Sequence, residues 1–134
     1  MKTRRTVTRA LATGACAVGL VAALQGQAWA GTVSIDAANG AGYGTFNADP
    51  NGSIPGDAIR ACDTKADGWG VETALDYPPF DKKMDRIIDT RGHASGYCSP
   101  WLGGNLTEGV TYRMYVTPVS GTSYGPSYYI DVVA

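Results

Sequence analysis

The only histidine, His93, stands in a run that also holds Asp89, Arg91 and Ser95. In an extended stretch these four side chains share a face and supply acid, base and nucleophile types together. Their spacing works against a triad, because residues two apart along a strand are separated by about 7 Å per step, whereas a triad converges on one point. His93 is therefore read as a solvated side chain in a Gly-flanked loop, and no catalytic residue is assigned. Asp49, Asn51 and Ser53 have the oxygen spacing that opens a calcium loop. Ile54 stands where such a loop needs glycine and Arg60 where it needs a bidentate glutamate, so a solvated turn is expected instead. Asp81, Asp85 and Asp89 recur every four residues, with Lys82, Lys83 and Arg86 among them, which describes a solvated face rather than a metal site. Nothing selects a pair of carboxylates for glycoside hydrolysis. There is no phosphate loop and no dinucleotide fingerprint, so no cofactor and no metal are assigned.

Two kinds of residue carry more information. Cys62 and Cys98 are the cysteines left once an N-terminal export segment is set aside, and an even count in an exported chain reads as one disulfide. A metal site would need more soft ligands than one cysteine pair and one histidine provide. The aromatic residues are the second kind: positions 31–134 hold eight Tyr, two Trp and two Phe. Tyr115 and Tyr129 fall on the outward faces of two adjacent strands, near Arg113 and Asp131, with Tyr124 in the turn between them. Such a strip could stack on a sugar ring or meet a protein partner. Trp101, beside Pro100 and Gly103, is the fourth member of the candidate binding surface.

The segment that delivers these residues to their compartment comes first in the chain. Lys2, Arg4, Arg5 and Arg9 form a basic head, positions 10–24 are largely apolar, and Ala28-Trp29-Ala30 completes the three regions of a secretory signal peptide. The apolar run falls short of the roughly 20 residues that a spanning helix needs. Cleavage is expected after Ala30, leaving a single domain over 31–134 and a secreted, extracellular protein. Removal of 1–30 takes four of the 11 basic residues and none of the 12 acidic ones, so the remainder carries a net charge of −5. That balance argues against nucleic acid and anionic membrane surfaces as partners. An extracellular protein or a carbohydrate is the expected partner, and a monomer the expected state.

The elements that position the site read as strands. Val110, Tyr112, Met114, Val116 and Pro118 alternate with Thr111, Arg113, Tyr115, Thr117 and Val119, and Tyr128, Ile130 and Val132 alternate with Tyr129, Asp131 and Val133. These two strands are expected to be antiparallel neighbours. Positions 32–36, 58–63 and 69–77 read as further strands, with Trp69, Val71, Thr73, Leu75 and Tyr77 on the inner face of the last. Gly70, Glu72, Ala74 and Asp76 should then face solvent. Short, less regular strands are expected near 43–46 and 97–102, and 86–89 is either a short strand or part of a helix. With no long amphipathic helix, the fold class is all-β, an immunoglobulin-like antiparallel β-sandwich of about seven strands.

Leu106, Gly109 and Tyr112, then Met114 and Val116, then Gly125-Pro126-Ser127, resemble the last two strands of a fibronectin type III domain. In that family a Leu six residues before a Tyr forms a tyrosine corner, which implies a buried Tyr112 whose hydroxyl bonds to backbone near Leu106. The chain as a whole resembles the small one-disulfide secreted proteins of actinobacteria, which implies no particular activity. The expected function is non-catalytic extracellular binding. The alternatives are inhibition of a secreted hydrolase through the loops at 47–57 and 120–126, or a small secreted enzyme.

Overall fold

A computed structural model describes residues 31–134, so the expected signal peptide lies outside the described residues. The described chain forms eight strands: β1 (Thr32–Asp36), β2 (Gly42–Asn47), β3 (Ala58–Asp63), β4 (Gly70–Asp76), β5 (Arg86–Asp89), β6 (Thr111–Ser120), β7 (Ser123–Tyr124) and β8 (Tyr128–Val133). No helix occurs among the described residues. β1, β2 and β3 make a three-stranded antiparallel meander. In the second sheet β4 lies between β5 and β6, and β6 pairs with β8 along its first part and with β7 at its end. Relative to the expected strands, 97–102 is lost, the undecided 86–89 forms β5, and β7 is a two-residue pairing within the 120–127 connection.

The two sheets meet through the residues that alternation places inward. Phe46 and Ile59 from the first sheet, and Val71, Leu75, Met114 and Val116 from the second, are fully buried in one core. From sequence β3 offers two registers, Ile59 and Ala61 inward or Ala58 and Cys62 inward, with the first favoured; Ile59 and Ala61 are the pair that joins the core. At Gly44 the sheets come so close that an added Cβ would lie 2.4 Å from Val116 Cγ2 and 2.5 Å from Thr73 Oγ1. Thr73 is buried here, and its hydroxyl is satisfied across the sandwich by donating to the Arg60 carbonyl at 3.1 Å.

Residues 97–102 run antiparallel to β3 but do not form the continuous strand expected there. They contribute two isolated bridges, Cys62 with Cys98 and Ile59 with Leu102, and between them residues 99–101 stand opposite Arg60 and Ala61. Three residues facing two make a bulge, at which Pro100 has no N–H to offer a ladder. The Cys62–Cys98 disulfide joins a non-hydrogen-bonded pair with Cα atoms 4.0 Å apart. It is flanked by bonds from Asp63 N to Tyr97 O and from Ser99 N to Ala61 O. Because Ile59 and Ala61 point into the core, the disulfide lies on the opposite face of the sheet.

The corner at the start of β6 has the expected form. Tyr112 is buried, and its hydroxyl accepts the Thr107 N–H at 2.9 Å. Its ring meets Tyr77 edge-on at 5.1 Å, and Leu106 N donates to Asp57 Oδ2 at 2.8 Å. Arg86 ties this corner to the rest of the fold by donating to the Asp57 carbonyl and, at 2.9 Å, to the Tyr77 hydroxyl. A Cβ at residue 104 would meet the Arg86 guanidinium and push it from these bonds.

Candidate binding face

On the outer face of the second sheet, cross-strand register sets side chains in rows. Ala74 pairs with Tyr115, which pairs with Tyr129; Asp76 pairs with Arg113, which pairs with Asp131; Glu72 pairs with Thr117 on one side and Asp89 on the other. The Tyr115 and Tyr129 rings lie 5.5 Å apart. Tyr124 and Tyr129 are 62% and 57% exposed. Beside them is a cleft of about 390 Å³ lined by Glu72, Ala74, Lys82, Met84, Tyr115, Thr117, Tyr124 and Ser127. Ala74, with its single methyl, makes the floor between larger neighbours.

This face is less solvated than alternation along β4 implies, since Ala74 and Asp76 are buried. The connection at 77–85 folds over them. It is held by Lys82 N donating to Asp76 Oδ2 at 3.1 Å and by Tyr77 N donating to Asp85 Oδ2 at 2.8 Å. Asp81 and Asp89 accept from the backbone N–H two residues on, Lys83 and Arg91. The four-residue aspartate recurrence therefore does not mark a helix: Asp81 and Asp85 close turns, and Asp89 ends the short strand β5.

Two arginines hold the tyrosines in place. Arg113 donates to Asp131 through two bonds, 2.7 and 3.1 Å, and lies 4.7 Å from the Phe80 ring centroid and 4.5 Å from that of Tyr129. The hydrogen bond to Asp131 raises the Arg113 pKa above its ordinary value, and the same bond lowers that of Asp131. Arg91 donates to Glu72 Oε2 at 2.9 Å, to Asp89 Oδ2 at 2.6 Å and to the Gly121 carbonyl at 3.1 Å, with its guanidinium 5.0 Å from the Tyr124 ring centroid. Burial works against its charge, but the bonds to Glu72 and Asp89 outweigh that and raise its pKa. Glu72 and Asp89 are directly opposite on β4 and β5, a like-charge pair whose repulsion Arg91 offsets by bridging the two, leaving the trio one net negative charge. Of Arg91, Phe80, Lys82 and Met84, sequence marks Arg91 only as a neighbour of His93 and Lys82 only as part of a solvated face, and it does not single out Phe80 or Met84. They reach this face from connections whose path is set only by tertiary packing.

The expected four-residue surface divides. Tyr115, Tyr124 and Tyr129 share the outer face of the second sheet, whereas Trp101 lies over Arg60 on the first sheet, 5.6 Å from guanidinium carbon to ring centroid. The cause is the pairing of residues 97–102 with β3, which carries Trp101 to the far side of the sandwich. His93 lines a second hollow of about 410 Å³ that also holds Asp63, Trp69 and Ser95. Its ring stacks on Tyr97 at 3.6 Å, while Asp63 Oδ1 accepts from Lys65 N. No hydrogen bond joins the His93 side chain to Asp63 or Ser95 among the described residues. Nor does any group of three His, Cys, Asp or Glu side chains suited to a metal ion occur among them.

Fold and site together define a small two-sheet antiparallel β protein with a cross-strand disulfide and an arginine-braced tyrosine face. Compared with protein-family models, with curated proteins and with solved structures, the chain matches none.

Proposed function

We propose that this is a secreted, non-catalytic binding module whose contact surface is the tyrosine face of the second sheet. The observation that carries the reading is the coincidence of exposure and order. Tyr124 and Tyr129 stand open to solvent yet are backed by arginines that are themselves anchored to carboxylates. Side chains ordered before contact lose less conformational entropy on binding, so such a surface is prepared for a partner. The cross-strand disulfide suits an oxidising, extracellular compartment. The strand order β5-β4-β6-β8, with residues 97–102 lying beside β3, supports reading the sandwich as immunoglobulin-like.

The reading is tested by immobilising the purified protein and exposing it separately to extracellular proteins and to cell-wall material from the producing organism. Retention should fall in Tyr115→Ala, Tyr124→Ala and Tyr129→Ala and persist in Trp101→Ala. Turnover of any substrate that His93→Ala abolishes would overturn the non-catalytic reading.

One observation favours inhibition of a secreted hydrolase as a second reading. The loop between β2 and β3 is exposed at Asn51, Gly52 and Ser53 but rigid at its base. Asn51 and Ile54 exchange backbone hydrogen bonds, and the buried Asn47 side chain donates to the Asp49 and Pro55 carbonyls. On that reading a substitution at Ser53, not at Tyr124, removes the inhibition.

A further inference from the structure

The tyrosine face also carries information about what it binds. Both of its arginines are already paired, Arg113 with Asp131 and Arg91 with Glu72 and Asp89, so neither guanidinium is free to meet a charged ligand. Those arginines also occupy one side of the Tyr124 and Tyr129 rings, which leaves no empty aromatic cage for a cationic ligand. Arg91 lines the neighbouring hollow and not the cleft that Tyr124 lines. An anionic polymer is opposed by the net charge of −5 on residues 31–134.

What remains in and beside the cleft is a set of aromatic faces with mixed polar groups at their edges. Glu72 uses Oε2 for Arg91, and Oε1 has no hydrogen-bond partner among the described residues. Thr117 and Ser127 form a hydroxyl pair at 2.6 Å, and the Lys82 ammonium makes no ion pair among the described residues. A proline-rich peptide would present carbonyl acceptors and almost no donors, leaving the Glu72 oxygen unmatched on contact. A sugar ring offers an apolar C–H face to a tyrosine and a rim of hydroxyls that both donate and accept. That pattern answers each feature of the cleft.

We infer that the face binds neutral polysaccharide, with pyranose rings resting on Tyr115, Tyr124 and Tyr129 and hydroxyls bonded to Glu72, Thr117 and Lys82. The inference rests on the binding-module reading and specifies its ligand. Tyr115 and Tyr129 are neighbours across the β6–β8 pair, and Tyr124 stands beside the cleft that Tyr115 also lines. The platform is therefore longer than one side chain and suits a chain of sugars rather than a single one.

The test is affinity electrophoresis of the purified protein through gels containing hydroxyethyl cellulose, xylan or glycol chitin, with polygalacturonate as the charged comparison. Retardation is expected with at least one of the three neutral polymers. Tyr124→Ala should weaken it about tenfold, the usual effect of losing an aromatic anchor, and Tyr124→Phe should retain it. Tyr124 is largely exposed, so this variant keeps the fold, which its unfolding midpoint checks; Tyr129→Ala serves as the second variant. No retardation by any neutral polymer, retardation by polygalacturonate alone, or retardation unchanged in both alanine variants would each overturn the inference. If the polysaccharides fail while extracellular proteins are still captured through the same tyrosines, only the sugar assignment falls. If neither is retained, the binding-module reading falls with it.

Discussion

Replacing Gly44 by alanine tests the point at which the two sheets meet. The added methyl would lie 2.4 Å from Val116 Cγ2, 2.5 Å from Thr73 Oγ1 and 3.1 Å from Thr73 Cγ2, whereas carbon atoms in contact prefer about 3.5–4.0 Å. Both neighbours are fully buried, short and β-branched, so neither has a flexible end to swing aside. Overpacking of this kind is worth about 1–3 kcal/mol. If Thr73 turns away it also gives up its bond to the Arg60 carbonyl, a further loss of about 1 kcal/mol. The expected destabilisation is about 2–4 kcal/mol, or roughly 10–20 °C in the unfolding midpoint of a domain of this size. Urea denaturation followed by circular dichroism should show a lower midpoint with an unchanged slope. Gly103→Ala is the control, since the nearest atom to its added Cβ is 3.5 Å away, an ordinary contact, and it should stay within about 0.5 kcal/mol of the parent. Val116→Ala should relieve the Gly44→Ala defect, giving a double variant less destabilised than the sum of the two by about 1 kcal/mol or more. A Gly44→Ala protein as stable as the parent would refute the sheet-to-sheet geometry described above.

Replacing both Cys62 and Cys98 by alanine frees a closed loop of sequence separation 36 and should lower stability by up to about 4 kcal/mol, read from urea midpoints. In the parent, thiol titration should find neither of these two cysteines reactive. Tyr112→Phe removes the acceptor for the Thr107 N–H while keeping the packed ring, so its loss should be about 1 kcal/mol, well short of the loss on full truncation to alanine. For Asp131 the hydrogen bond from Arg113 places the folded-state pKa below the ordinary 3.8. Its contribution to stability is therefore complete above the unfolded value and is lost as pH falls through the folded one. Carboxyl chemical shifts should titrate below 3.8 in the parent and return toward 3.8 in Arg113→Gln.

Alternation along a strand is a local property, and the parts of the fold that depend on it could be read from sequence. Val71, Thr73 and Leu75 turn inward as their spacing implies, and so do Tyr112, Met114 and Val116. The Leu106 to Tyr112 interval placed the corner hydroxyl, because that motif closes over only a few residues. The even cysteine count implied the disulfide, although not that it would cross one sheet on the face away from the core. Burial of Ala74 and Asp76 was hidden from sequence, since a strand's outer face says nothing about a connection such as 77–85 that folds over it. The candidate site divided in the same way. Tyr115 and Tyr129 could be paired from the register of one hairpin, but Trp101 could not be placed without knowing that residues 97–102 lie beside β3. Arg91 reaches Glu72, 19 residues away, and Gly121, 30 residues away. Sequence alone determined which side of β4, β6 and β8 is apolar and which aromatics a hairpin brings together, but left the inward side of β3 open between Ile59 with Ala61 and Ala58 with Cys62. Tertiary structure decided which strands are neighbours, and through them which arginines brace the tyrosines, because pairing between distant segments depends on packing across the core and leaves no periodic trace in the chain.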